Sequence, residues 1–132
     1  ALGITGMRCS TVVDGAVNGD VFEAFVEQVL VPELRSGDVV IMDNLSSHKR
    51  DRVGELIAKC KAELRYLPPY SPELNPVEYL WSYLKLNPLA NWAPAHIDEL
   101  AHRLAAILDD LPGRQELLRA FIHASPLSFC FR

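Results

Sequence analysis

Cysteine is scarce in this 132-residue chain: Cys9, Cys60 and Cys130 lie far apart, and none belongs to a C-x-x-C pair. That spacing excludes a zinc ribbon and a thioredoxin-type redox motif. Three scattered thiols are expected to be reduced and buried. No uninterrupted apolar run approaches the ~20 residues that a membrane span needs, so no membrane partner is expected. Basic charge is not in excess either. Thirteen Lys and Arg face 17 Asp and Glu, for a net charge of −4, whereas a domain that grips nucleic acid unaided usually shows a basic face. Internal repeats, low-complexity tracts and a clear interdomain linker are missing too. The opening residues Ala1-Leu2-Gly3-Ile4-Thr5 carry no basic segment and no long apolar stretch, so they do not read as a secretory signal. They read as a strand entered midway, without an initiator Met, and the expectation is an N-terminally truncated piece.

What the chain does have is enough apolar content, 49%, for a real core, and a length that suits one domain over residues 1–132. Short strands are expected at 4–5 and 7–13, around Gly6. Asp14-Gly15 and Asn18-Gly19 mark turns. Asp20 is expected to cap a helix over 21–30, with Val21, Phe22, Phe25, Val26, Val29 and Leu30 at helical spacing. Pro32 and Gly37 bracket its exit. A strand over 38–43 has the apolar centre Val39-Val40-Ile41-Met42, which suits cover on both faces. A polar loop follows, then a helix from about Arg50 with Val53, Leu56, Ile57 and Cys60 inward. The next strand covers 63–67. Strand, helix, strand, helix, strand is an α/β order with right-handed crossovers. Helices are then expected at 76–86, burying Val77, Leu80, Trp81 and Leu84, at 96–109, with Ile97, Leu100, Leu104, Ile107 and Leu108 inward, and at 114–123.

Two acids stand where that order puts chemistry. Asp43 ends an apolar strand, and ligands of α/β sheets gather beyond the carboxyl ends of strands; an acid there also serves simply to cap the next turn. Glu78 lies in the first turn of the helix opened by Pro76, where the macrodipole alone accounts for an acid. As a pair they say more. The strand at 63–67 can return beside the strand at 38–43, and the following helix can bring Glu78 to the same edge. Carboxylates sharing Mg²⁺ or Mn²⁺ suit phosphodiester chemistry, because these ions want hard oxygen ligands. Two such ions about 3.5–4 Å apart serve the attacking and leaving oxygens, normally with at least one further carboxylate between them.

The segment Asp43-Asn44-Leu45-Ser46-Ser47-His48, followed by Leu67-Pro68-Pro69-Tyr70-Ser71-Pro72-Glu73-Leu74-Asn75-Pro76-Val77-Glu78-Tyr79-Leu80-Trp81, resembles the DDE transposases of the mariner superfamily, most closely its bacterial insertion-sequence branch. The segment from Val13 to Gly19 and the helix after it fit that branch as well. The 34 residues between Asp43 and Glu78 match the spacing typical of the superfamily. The resemblance implies a ribonuclease H-like mixed sheet flanked by helices, here without its first, central strand and with a C-terminal helical extension. It makes Asp43 the second acid of the catalytic triad and Glu78 the third. It implies two Mg²⁺ or Mn²⁺ ions, double-stranded DNA as substrate, strand cleavage at transposon ends followed by strand transfer, and a bacterial cytoplasmic, nucleoid-associated location. The family's first Asp has no counterpart in this chain, since Asp14 sits in a turn motif. By itself the chain is therefore expected to be inactive and to need an upstream transposase segment or self-association. The rival reading is a remnant that acts as an interaction or regulatory module.

The surrounding residues have two readings each. His48, Lys49, Arg50 and Arg52 are candidates for DNA phosphate contacts, and a solvated helix start explains them as well. Asn44 and Asn75 are candidate supports, Asn44 for the orientation of Asp43 and Asn75 as a helix cap. Glu73 is the rival third acid, in a less rigid segment. Tyr70 and Trp81 are candidates for stacking on bases; Trp81 is assigned to the core by its helical phase with Val77 and Leu84, and Tyr70 is left open between the two readings. If the central strand is missing, its neighbours lack a ladder partner, and a poorly stable, rearranged or self-associating chain is expected.

Overall fold

The computed structural model describes residues 1–127, and their architecture is α/β. It divides into two compact units: Gly15–Asn75, and residues 1–14 together with the chain from Pro76 onward. Cys130 lies outside the described residues, while Cys9 and Cys60 are half-buried.

In the central unit the first helix, α1 (Gly19–Phe25), is capped by Asn18, whose Oδ1 accepts from Val21 N at 3.0 Å. The cap is therefore Asn18 and not Asp20. Asn is among the best cap residues, and Gly19 costs little at a helix's first position. A Cβ at Gly19 would also collide with the Arg50 guanidinium. The helix widens into a π turn over Val26–Leu30 and ends in a 3₁₀ turn at Val31–Glu33, where Pro32 has no N–H to continue it. Strand β3 (Val39–Met42), helix α2 (Asp51–Lys59) and strand β4 (Glu63–Tyr66) follow. β3 and β4 pair in parallel, Val39 opposite Glu63 through Met42 opposite Tyr66. Helix α2 closes in a Schellman turn: Ala62 N donates to Ile57 O and Lys61 N to Ala58 O, with Lys61 at φ 57°. Val26, Leu30, Met42, Val53, Leu56, Ile57 and Leu67 are buried.

β3 is not covered on both faces. Val39 and Ile41 stay 49% and 37% exposed. In a parallel ladder opposed residues share a face, so these two stand beside Glu63 and Arg65. Those side chains form a 2.8 Å ion pair and need water, so no apolar layer closes over that face. Val40, Met42 and Leu64 turn to the other, more buried side.

The second unit begins with a hairpin, β1 (Leu2–Gly3) and β2 (Gly6–Met7), antiparallel with Leu2 opposite Met7. Ile4-Thr5 is its turn rather than a strand. The strand expected over 7–13 stops at Met7, and Val12 and Val13 are exposed. A β-branched run stays extended only with a ladder partner, and none reaches this one among the described residues. The helices are α3 (Pro76–Leu86), α4 (Ile97–Asp110) and α5 (Gln115–Ala124). Their core is Leu80, Leu84, Leu108, Leu111, Leu118 and Phe121, with Leu2 and Met7 packed on it. Two expected core residues lie outside: Trp81 is 43% and Ile97 60% exposed. The α3 stripe follows Leu80 and Leu84 at i, i+4, which turns Trp81 about 100° away from it. Ile97 is the first residue of α4, a turn short of Leu100. Among the described residues the strands form two separate two-stranded sheets, and no helix is long and apolar enough to cross a membrane.

Candidate active site

The apolar run Val39–Met42 makes a strand that holds whatever follows it. Leu67 N donates to Met42 O at 2.8 Å, extending the ladder to its last residue. Asp43 is the next residue and is half-buried. Two contacts fix it directly, and two more hold the His48 that makes one of them. Asn75 Nδ2 donates to Asp43 Oδ1 at 2.6 Å. His48 Nδ1 faces the Asp43 carbonyl oxygen at 3.3 Å, an acceptor to which the Nδ1–H tautomer donates. The His48 ring stacks on Phe22 with centroids 4.1 Å apart and planes at 27°. Tyr66, the last residue of β4, donates its hydroxyl to His48 O at 2.9 Å. Burial pushes the Tyr66 phenol above its usual value, which keeps that donor protonated. The loop from Asp43 to His48 is thus tied to α1, to β4 and to the segment ahead of Pro76.

Among the described residues, Asp43 Oδ2 accepts no hydrogen bond, and Asn44 Oδ1 is buried with no hydrogen-bond partner. A carboxylate oxygen held rigidly and left without a donor is the hard ligand that Mg²⁺ or Mn²⁺ takes. The neighbouring amide oxygen is of the same hard class. One carboxylate is a first ligand and not a complete site: no group of three or more His, Cys, Asp or Glu converges among the described residues. Glu78 lies in the first turn of α3, half-buried, its side chain without a hydrogen bond or ion pair among the described residues. Glu73 is exposed in the 3₁₀ turn Pro72–Leu74.

The four cationic candidates separate. Arg50 pairs with Asp20 and, at 3.5 Å, with Glu23, and the hydrogen bond to Asp20 raises its already high pKa. Arg52 pairs with Glu23 at 3.0 Å and Glu27 at 2.7 Å. Both guanidiniums therefore join α2 to α1 and have their charge matched locally. Lys49 is exposed, forms no ion pair among the described residues, and rests its ammonium 5.9 Å from the centroid of the Tyr66 ring. His48 is occupied in the Asp43 loop.

Sequence reasoning did not single out Phe22 and Tyr66 as parts of this constellation. Phe22 was read as core, and Tyr66 as one residue of a strand. Their link to Asp43 runs through His48, 26 and 18 positions away, and no local pattern encodes it. Glu23 and Glu27 carried a usable signal. They form an i, i+4 acidic stripe, complementary to the basic start of the next helix.

A family model described as DDE superfamily endonuclease matches residues 3–101 of the chain. No curated protein and no solved structure matches it.

Proposed function

The chain belongs to the DDE superfamily of endonucleases, and from that premise we propose that residues 1–132 are the catalytic domain of a transposase that cleaves and joins DNA at transposon ends. The domain is of the ribonuclease H-like type, from the mariner superfamily's bacterial insertion-sequence branch. It works on double-stranded DNA in the cytoplasm, as part of a larger assembly.

The observation that carries this reading is Asp43: a strand-end carboxylate with one oxygen pinned by Asn75 and the other given no donor among the described residues. Asp43 and Glu78 would hold Mg²⁺ or Mn²⁺, completed by at least one further acid. When bound, such ions activate a water or a 3′-hydroxyl and stabilise the leaving oxygen. The protein's own work is positioning. Asn75 and His48 hold Asp43 in one rotamer and one backbone path, so its free oxygen is aimed before any ligand arrives. Lys49 offers an unmatched positive charge to a DNA phosphate.

Isothermal titration of the chain with Mn²⁺ tests the reading. Binding is expected in the wild type and should be lost in Asp43→Asn and in Glu78→Gln, but kept in Glu73→Gln. Equal binding by Asp43→Asn would remove the proposal. A second reading, a non-catalytic interaction module, draws on the exposed Val39–Ile41 face. It requires self-association or capture of intact transposase with no dependence on Asp43.

A further inference from the structure

Tyr70 holds an unfavourable backbone conformation and gains nothing from it within the fold. Its φ is 56°, in the left-handed region, and its side chain is fully exposed. Neither its ring nor its hydroxyl has a partner among the described residues. The other two non-glycine residues with positive φ are accounted for. Lys61 forms the Schellman turn that ends α2, and Asn91 is of the type that tolerates this region. Tyr is not of that type. A reversal that needed only the backbone angle would be served better by Gly or Asn.

The segment that carries Tyr70 is stiff and anchored at both ends. Pro68, Pro69 and Pro72 restrict its path. Ser71 Oγ donates to Pro69 O at 3.3 Å, and Leu74 N donates to Ser71 O at 3.2 Å. It leaves the sheet at Leu67, bonded to Met42, and returns at Asn75, bonded to Asp43. Tyr70 is three residues from Leu67, which bounds the separation of their Cα atoms to about 11 Å. A rigid loop therefore presents a bare aromatic ring to solvent beside the end of β3. Strain retained with no structural return marks a functional position. Every nucleobase has a π face, and stacking on exposed aromatic rings is how unpaired bases are held without sequence preference.

We propose that Tyr70 is the stacking contact for an unpaired base of the DNA substrate, held out of the helix next to Asp43. The inference rests on the nuclease reading above and adds the substrate feature that this site recognises. The ring supplies the contact, so Tyr70→Phe retains it, while Tyr70→Ala and Tyr70→Gly lose it. Tyr70→Gly also relieves the backbone.

The test is fluorescence anisotropy of the full chain with two labelled DNAs, a short single strand and a blunt duplex of the same sequence. Thermal melts of every variant accompany it. Tyr70→Ala and Tyr70→Gly are expected to bind the single strand about 5- to 100-fold more weakly than wild type. Tyr70→Phe should bind it within about twofold of wild type, and the duplex should be bound alike by all four. The melting temperature of Tyr70→Gly is expected to equal or exceed that of wild type. Equal single-strand binding by Tyr70→Ala, an equal loss on the duplex, or a lowered melting temperature in Tyr70→Gly each overturns the inference. So does a wild type that binds no single strand. In that last case Mn²⁺ titration of the same sample separates the two ideas. Retained binding through Asp43 removes only the role of Tyr70, and lost binding removes the nuclease reading as well.

Discussion

Asn75 reaches back across 32 positions to donate its side-chain amide to Asp43, Nδ2 to Oδ1 at 2.6 Å. The bond holds an acid at a strand end, and a charge-assisted hydrogen bond of this kind contributes about 1.5–3 kcal/mol. Its partly exposed setting favours the lower end. Asn75→Ala is therefore expected to lower stability by about 1–2 kcal/mol. Asn75→Asp sets a second carboxylate against the first, and like charges at that distance repel. Without divalent ions it should melt below Asn75→Ala. With Mn²⁺ it should recover more than wild type does, because two carboxylates at one place bind the ion that separates them. Melting curves of the three proteins in EDTA and in Mn²⁺ check the order. The absence of a larger Mn²⁺ response in Asn75→Asp would mean that Asp43 does not face space an ion can enter.

Lys49, Arg50 and Arg52 look alike in sequence and differ in their surroundings. Arg52 is matched by Glu23 and Glu27, and Arg50 by Asp20 and Glu23, while Lys49 forms no ion pair among the described residues. Exposed pairs contribute about 0.2–1 kcal/mol each. Arg52→Ala is expected to lower stability by up to about 1 kcal/mol and to leave the salt dependence of DNA binding unchanged. Lys49→Ala should leave stability within about 0.5 kcal/mol and reduce the slope of log K against log salt by about one. Denaturant melts and binding isotherms at several salt concentrations separate the two classes. The reverse assignment would return Arg52 to the DNA interface.

Tyr66 predicts an alkaline effect with a definite sign. Burial raises its pKa above the usual 10.0, and its hydroxyl must stay protonated to donate to His48 O. The folded state therefore binds this proton more tightly than the unfolded chain does. The contribution is fully present below about pH 10 and is lost as pH rises through the folded value. Tyr66→Phe removes the donor at every pH, at a cost of about 0.5–1.5 kcal/mol. The stability gap between wild type and Tyr66→Phe should be open at pH 8 and narrower at pH 11. Urea midpoints at the two values measure it. A gap that widens at high pH would mean that the phenolate, not the phenol, is favoured in the fold.

Local patterns carried the elements and lost the connections between them. The helix at 76–86 is visible because Pro76 and a run of helix formers mark it, and the parallel return of β4 beside β3 follows from the strand–helix–strand order. The strand over 7–13 was misread because Thr11-Val12-Val13 has strand composition without a ladder partner, and propensity alone does not hold an exposed strand. Cover on both faces of β3 was misread because the apolar run lies in β3, whereas the charged Glu63 and Arg65 that keep its face wet lie in β4. Asp43 could be singled out from its place at a strand end. The bond from Asn75 and the stack of His48 on Phe22 could not, since each joins residues more than 25 positions apart.

Two isoleucines in the central unit put the burial pattern to a direct test. Ile57, in α2, is fully buried, and Ile41 is 37% exposed on the wet face of β3. Truncating a fully buried isoleucine loses transfer energy and leaves a cavity, so Ile57→Ala is expected to cost about 2–5 kcal/mol. Ile41→Thr keeps the β-branch that favours a strand and removes apolar area that water already reaches. Its effect should stay near 0.5 kcal/mol. Its effect on association is expected to be larger, because Val39 and Ile41 form an exposed apolar pair on a strand whose second edge is unpaired among the described residues, the kind of surface through which chains pair. Light scattering over a concentration series should show less self-association for Ile41→Thr than for wild type. A cost above about 2 kcal/mol for Ile41→Thr, with association unchanged, would show that the face is packed in solution and that the charged neighbours in β4 do not keep it open.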